Sequence, residues 1–368
     1  MLEREKMQLT TKPDFEEVRQ RWNAFWAGDV LKRPIVCAEV PKRDGEALVD
    51  IWKTRYWHPC RGDYGAQLDL LDQWADTTLF LGELMPHYSP DHGPDQFGAW
   101  MGSTLKFSPN NIETNWADPV LKDWSTFLPV SLREDNPVWQ SVMTYSCLLA
   151  EHGKGKYLVG MADLHSHMDA FSALRHPDNL CLDLYDTPDL VMQGVKQARA
   201  MYPGIYQRLY EAGGMSRETG TVGWLPLWCE GKTAAVQCDF SVFLGNDMWR
   251  EFVLPGVIEE VNFLDHCFYH LDGKQQLIHL DDLLAIPKLD GIQWVPGAGQ
   301  PEMFLPVWRD VLKKVLKAGK KVIVYGNMDL AAVQDVHRDL GPRNVVYHIW
   351  GATRAQVEEI LKWLERNS

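Results

Sequence analysis

The sequence predicts a single (β/α)8 TIM barrel with an N-terminal helical extension. Three observations predict it. Eight short apolar runs alternate with stretches of helical period, the pattern of parallel strands joined by helical crossovers. One unit of that alternation is explicit: residues 267–273 and 291–299 each read as a buried strand turning polar at its end, and Leu277, Leu280, Leu283 and Leu284 between them recur at helical spacing. A length of 368 residues suits one such domain. The expected layout is an extension over residues 1–33 and the barrel over 34–368, with a long loop near 85–137.

In chain order, a helix is expected over about 13–28, with Asp14 as N-cap and Phe15, Val18, Trp22 and Trp26 along one face. Residues 34–40 form the first strand and carry Glu39 near its end. Helical stretches follow over 47–57 and 64–75, then a second strand over 78–84 that ends near Glu83. Residues 85–137 are rich in Pro, Gly, His and Trp and lack a clean period; a loop of that length commonly forms a lid or wall over a site. The third strand, 157–162, delivers Asp163, His165, His167 and Asp169 in one turn. Helices over 174–184 and 188–211 lead to a fourth strand over 221–228. After it, the apolar triplet Ala234, Ala235 and Val236 precedes Gln237, Cys238 and Asp239. The two opening runs are strands five and six, and residues 321–325 and 344–350 are seven and eight. Helices over 301–318, 331–340 and 354–365 accompany them.

A formal charge of −13 disfavours nucleic acid or an anionic membrane as partner, because phosphate binding needs a concentrated basic surface. Residues 1–6 lack the apolar core of a signal peptide and no apolar run is long enough to span a bilayer, so the expected location is cytoplasmic. Seven cysteines, none in a CxxC pair, read as reduced core thiols. Sixteen tryptophans are the unusual count; aromatic walls suit flat or sugar-like ligands, while Trp22, Trp26 and Trp363 on amphipathic helices are more simply core.

If strand ends converge on one mouth, the candidate residues are Glu39, Glu83, Asp163, His165, Trp228, Asp239, His270, Asp272, Gln293, Trp294, Asn327 and His348. His270 and Asp272 lie two apart and face one side of a strand. They can serve as a metal pair completed by Asp163, His165 or His348, or as an imidazole oriented by a carboxylate for acid–base work. The plainer alternative is a turn cap and a core histidine. Asp163, Leu164 and His165, continuing to His167, offer the same choice. Asp239 reads as a substrate contact, or else as the cap of a helix beginning near Asn246. No nucleophile elbow, P-loop or dinucleotide fingerprint is present.

The Asp272-Gly273 turn, Trp294 after Gly291-Ile292-Gln293, and Gly326-Asn327-Met328-Asp329 resemble the uroporphyrinogen decarboxylase superfamily, which includes corrinoid-linked methyltransferases. Leu174-Arg175, the run from Leu184 to Pro188, and Asp239 before a helix ending near Pro255 fit the same resemblance, which covers most of the chain beyond residue 155. It implies a barrel enzyme performing methyl transfer or demethylation of a small substrate, with zinc as cofactor and a corrinoid carried by a partner protein. His270, Asp272, Asp239 and Asp163 would then be catalytic. Glu83, Trp228, Gln293, Trp294, Asn327 and His348 would bind substrate, and His270, Asp272 and His165 would hold the metal. Where the methyltransferases carry His-x-Cys, this chain has His270-Leu271-Asp272, so a metal site here is rich in oxygen and nitrogen. The arginine-rich segment of the porphyrinogen decarboxylases is replaced by Pro41-Lys42-Arg43-Asp44, which argues against a polycarboxylate macrocycle. The alternatives are a cofactor-free decarboxylase or other lyase, a glycoside-acting enzyme, and a non-catalytic binding barrel. A homodimer is compatible with the sequence.

Overall fold

A computed structural model describes residues 8–368. Its strands are β1 (Ile35–Pro41), β2 (Thr78–Gly82), β3 (His87–Tyr88), β4 (Leu105–Ser108), β5 (Asn111–Ala117), β6 (Leu158–Val159), β7 (Thr233–Gln237), β8 (His266–Asp272), β9 (Gly291–Val295), β10 (Lys321–Gly326) and β11 (Val345–Ile349). Seven of them form one sheet in the order β2-β1-β11-β10-β9-β8-β7. Every neighbouring pair in it is parallel except β1 with β2. The strands from β7 to β11 are nearly continuous runs of buried residues, as expected of parallel strands covered by helices on their outer face. The chain is thus an α/β protein built on a mostly parallel sheet.

Several expected elements differ. Of the strand expected over 78–84, Thr78–Gly82 forms, but it runs antiparallel to β1 and not as the next parallel strand. The helix Tyr64–Thr77 feeds directly into β2. The chain then turns at Gly82, whose φ of +62 is open to glycine; a Cβ there would sit 2.1 Å from the carbonyl oxygen of Val36. Residues 221–228 contain no strand: Thr221 and Cys229 bond each other's backbones at 2.8 and 3.0 Å, closing a loop around Pro226, which has no N–H for a ladder. The sheet position belongs instead to Thr233–Gln237, of which only an apolar triplet was evident in the sequence. Residues 157–162 contribute only Leu158–Val159, paired in parallel with β3, and Met161 continues the contact by donating to the Val222 carbonyl at 2.7 Å.

The expected helix over 47–57 is a series of turns. Asp50 draws the amides of Trp52 and Lys53 onto its carboxylate at 3.1 and 3.0 Å, so a helix starts only at Trp57. The long segment 85–137 carries β3, the helix Gln96–Trp100 and the β4–β5 hairpin. A 16-residue helix, Pro137–His152, follows it, capped by the Asn136 side chain. Among the described residues no helix is long and apolar enough to cross a membrane.

Candidate functional site

Parallel register brings the site together. Gln237 on β7 is level with His270 on β8, and His270 is level with Gln293 on β9, so three polar side chains stand on one rung and face one way. Gln293 Oε1 lies 2.6 Å from His270 Nδ1. Asp239, just past β7, and Asp272, at the end of β8, close in on the same imidazole. One donor atom each from Asp239, His270 and Asp272 lies within 4.8 Å of the others, and all three side chains are partly exposed.

Behind this trio stands a second, buried cluster. His165 is held between two carboxylates, with Nε2 3.0 Å from Asp163 Oδ2 and Nδ1 3.1 Å from Asp169 Oδ2. Burial disfavours its charge, but Asp163 and Asp169 outweigh that penalty and hold its pKa well above the ordinary value. The same ion pairing overcomes burial to keep both carboxyls below their ordinary pKa. Asp163 also accepts from Gln237 Nε2 at 2.5 Å and Trp224 Nε1 at 3.0 Å, which locks its orientation. Asp169 accepts the backbone N–H groups of Asp239 and Phe240 at 3.0 and 2.8 Å, so it also fixes the turn that presents Asp239.

Burial and the nearby Asp169 charge push the Asp239 carboxyl up to about 6. Asp91, which accepts the Asp163 amide at 2.6 Å, is likewise raised to about 6 by burial and by Asp163. Two carboxyls with raised pKa therefore line one cavity together with the His165 imidazolium.

Two cavities open on this surface. A polar one of about 320 Å³ is lined by Asp91, Asp163, His165, Gln237, Asp239 and His270. An apolar one of about 360 Å³ is walled by Trp52, Trp74, Phe80, Trp224, His348 and Trp350, with Glu39 among them. Arg55 and Trp224 line both. The Trp224 ring stands edge-to-face with His270 at 5.1 Å between centroids. Burial pushes the His348 imidazole down to about 4, so at neutral pH it is an uncharged hydrogen-bonding group. Burial also raises the Glu39 carboxyl, against the hydrogen bond it accepts from Trp74 Nε1 at 3.1 Å.

Of the residues anticipated from sequence, Glu39, Asp163, His165, Asp239, His270 and His348 line these cavities. Asp272 and Gln293 join through His270. Four others lie elsewhere. Glu83 is 1% exposed and ion-paired to Arg33 at 2.7 Å and Arg21 at 3.1 Å; it ties the N-terminal helix to the sheet and does not face the cavities. Trp228 is buried, donating to Thr219 and packing on Phe15. Trp294 is buried against Trp308. Asn327 is exposed and packs beside Gly351. His165 does not join the donor trio, because carboxylates occupy both its ring nitrogens. His167, its partner in the His-x-His pattern, turns into the interior, with Nε2 3.7 Å from Glu260.

The sequence reading missed Arg55, Trp52, Trp224 and Asp91. For the first two a signal existed in the alternation of aromatic and basic residues from Trp52 to Trp57. Asp91 lies in the turn-rich stretch from Ser89 to Pro94, where nothing separates it from an ordinary loop carboxylate.

No protein-family profile matches the sequence, and no curated protein does. The fold is similar to a solved structure described as a methyltransferase from Methanosarcina mazei. The match covers 95% of this chain and 97% of that one, with a TM-score of 0.58 and 14% sequence identity.

Proposed function

We propose that the chain is a uroporphyrinogen decarboxylase-like (β/α)8 barrel enzyme that removes a methyl group from a small substrate. On this reading the main sheet and the β3–β6 ladder belong to one barrel, and the expected extension over 1–33, of which residues 1–7 lie outside the described residues, precedes it. The observation that carries the proposal is the convergence of Asp239, His270 and Asp272 beside an aromatic-walled chamber, on a fold shared with a methyltransferase.

One imidazole nitrogen and two carboxylate oxygens, open towards a cavity, suit a zinc ion of the catalytic type with three protein ligands. Zinc held there would polarise the heteroatom that carries the methyl group. The protein's own groups do the rest. Gln293 and Trp224 hold the His270 ring, and Asp169 fixes the turn that carries Asp239. The aromatic wall excludes water from the substrate's apolar body. In the transfer itself the carbon–heteroatom bond breaks, its electron pair stays on the heteroatom, and the methyl group passes to a nucleophilic acceptor. A corrinoid on a partner protein is the acceptor class this reading implies. The heteroatom is protonated on release.

A second reading, cofactor-free decarboxylation or another lyase reaction, is favoured by one specific feature. The raised carboxyls of Asp91 and Asp239, in one cavity with the His165 imidazolium, can take up and release a proton near neutral pH without a metal.

Metal analysis of the purified protein before and after chelation separates the two. The methyl-transfer reading expects stoichiometric zinc, lost in His270→Ala together with demethylation of methylated donors to added reduced corrinoid. Turnover that survives complete chelation would overturn it in favour of the lyase.

A further inference from the structure

Arg55 stands at the junction of the two cavities. Among the described residues no carboxylate oxygen lies within ion-pairing distance of it. Its guanidinium carbon lies 4.3 Å from the Tyr56 ring centroid and 5.6 Å from that of Trp52. A guanidinium over an aromatic ring gains from the ring's negative face, which holds Arg55 beside Trp52 and Tyr56. Surface arginines are commonly solvated, but this one is partly buried and lines both chambers, with the Asp91 carboxyl near enough to feel its charge though not paired with it. Arg21, Arg33, Arg175 and Arg309 in the same chain each meet a carboxylate at 3.1 Å or less.

We infer that Arg55 receives the carboxylate of a planar aromatic acid whose ring lies in the tryptophan-walled chamber. The inference rests on the methyl-transfer reading for what happens to the ligand, and it adds the substrate class. The apolar chamber, about 360 Å³, holds a molecule with one six-membered ring, and Trp52, Trp74 and Trp224 line it. A planar fork and a planar carboxylate make two parallel hydrogen bonds. The anion carries a single charge, because Asp91 and Asp163 stand in the adjoining chamber and would repel a phosphate dianion. Trp224, shared by both chambers and set against His270, brings a ring held there next to the donor trio.

The test is equilibrium binding by calorimetry and tryptophan fluorescence on the purified full chain, with benzoate, the neutral isostere benzamide and the dianion phenyl phosphate as probes. Benzoate is expected to bind best. Arg55→Met should weaken it roughly ten- to hundredfold, to the level of benzamide, while leaving benzamide unchanged. Arg55→Lys, which keeps the charge and loses the fork, should lie between. Circular dichroism and melting of each variant check the fold. The inference is overturned if benzoate fails to bind, if benzamide or phenyl phosphate binds the wild type as well as benzoate does, or if folded Arg55→Met holds benzoate undiminished. Binding requires neither zinc nor a methyl acceptor. Loss of the methyl-transfer reading would therefore leave this result intact, and failure here would leave metal content and demethylation unaltered.

Discussion

Gln293 Oε1 sits 2.6 Å from His270 Nδ1, and this contact assigns the imidazole its tautomer. An amide oxygen only accepts, so the ring proton belongs on Nδ1 and the Nε2 lone pair is directed away from β9. Nε2 lies 4.0 Å from Asp272 Oδ2, on the side where the donor atoms gather. A glutamine one strand away thereby determines whether the histidine can act as a ligand.

Removing that acceptor tests the assignment. Gln293→Leu keeps the volume and loses the oxygen, so the ring can rotate or carry its proton on Nε2. Zinc affinity, measured by competition with a chromophoric chelator, should fall about ten- to hundredfold, the usual loss when the partner behind a histidine ligand is removed. Unchanged affinity in a folded variant would mean that the contact does not orient a ligand.

The clamp on His165 gives a separate expectation. Its pKa is raised because Asp163 and Asp169 outweigh burial, so its charge stabilises the fold fully below the ordinary histidine pKa, wherever those two carboxylates remain ionised. That stability is lost as pH rises through the folded value, well above the ordinary histidine pKa. The imidazole proton resonances of His165 should stay those of the charged ring at pH values where an ordinary histidine is neutral, and Asp163→Asn should move the midpoint down. A wild-type midpoint at the ordinary histidine value would remove the imidazolium from the site.

How much of this was legible in the sequence follows from what a one-dimensional pattern encodes. The run closed by His270 and Asp272, its helix and the strand ending in Gln293 and Trp294 were readable, because alternation at period two and helical spacing fix element type and facing side together. The direction of β2 was not, since an apolar strand carries no record of its partner's polarity. Glu83 looked like a mouth carboxylate because it follows a strand. Its real partners, Arg21 and Arg33, come from a segment whose approach no local pattern announces. Trp228 and Trp224 lie four apart, and only the three-dimensional loop decides which one faces a cavity. Arg55 was hidden for a different reason: Asp50 converts an apparently helical stretch into turns, and those turns aim the guanidinium.

The relocation of Glu83 has its own consequence. It is buried between two guanidinium groups and also accepts the Val36 amide at 2.8 Å, so Glu83→Gln leaves buried positive charge uncompensated. Urea denaturation should show a loss of about 3 kcal/mol. Ligand affinity and metal content of the folded fraction should not change. Weakened ligand binding at full stability would instead place Glu83 in the site.

Glu260 supplies the last expectation, on stability alone. Its side chain is 4% exposed, accepts from the Ser166 hydroxyl and lies near His167, and burial pushes its carboxyl up to about 8 from the ordinary 4.5. In that interval the unfolded chain has released the proton that the native state keeps. Stability therefore falls as pH rises, with a slope approaching about 1.4 kcal/mol per pH unit from this group. Glu260→Gln retains the acceptor oxygen and removes the titration. Its melting temperature should exceed that of the wild type by a margin that grows from pH 5 to pH 8. A constant difference across that range would mean that Glu260 is already ionised at pH 5, stabilised by a counter-charge that outweighs its burial.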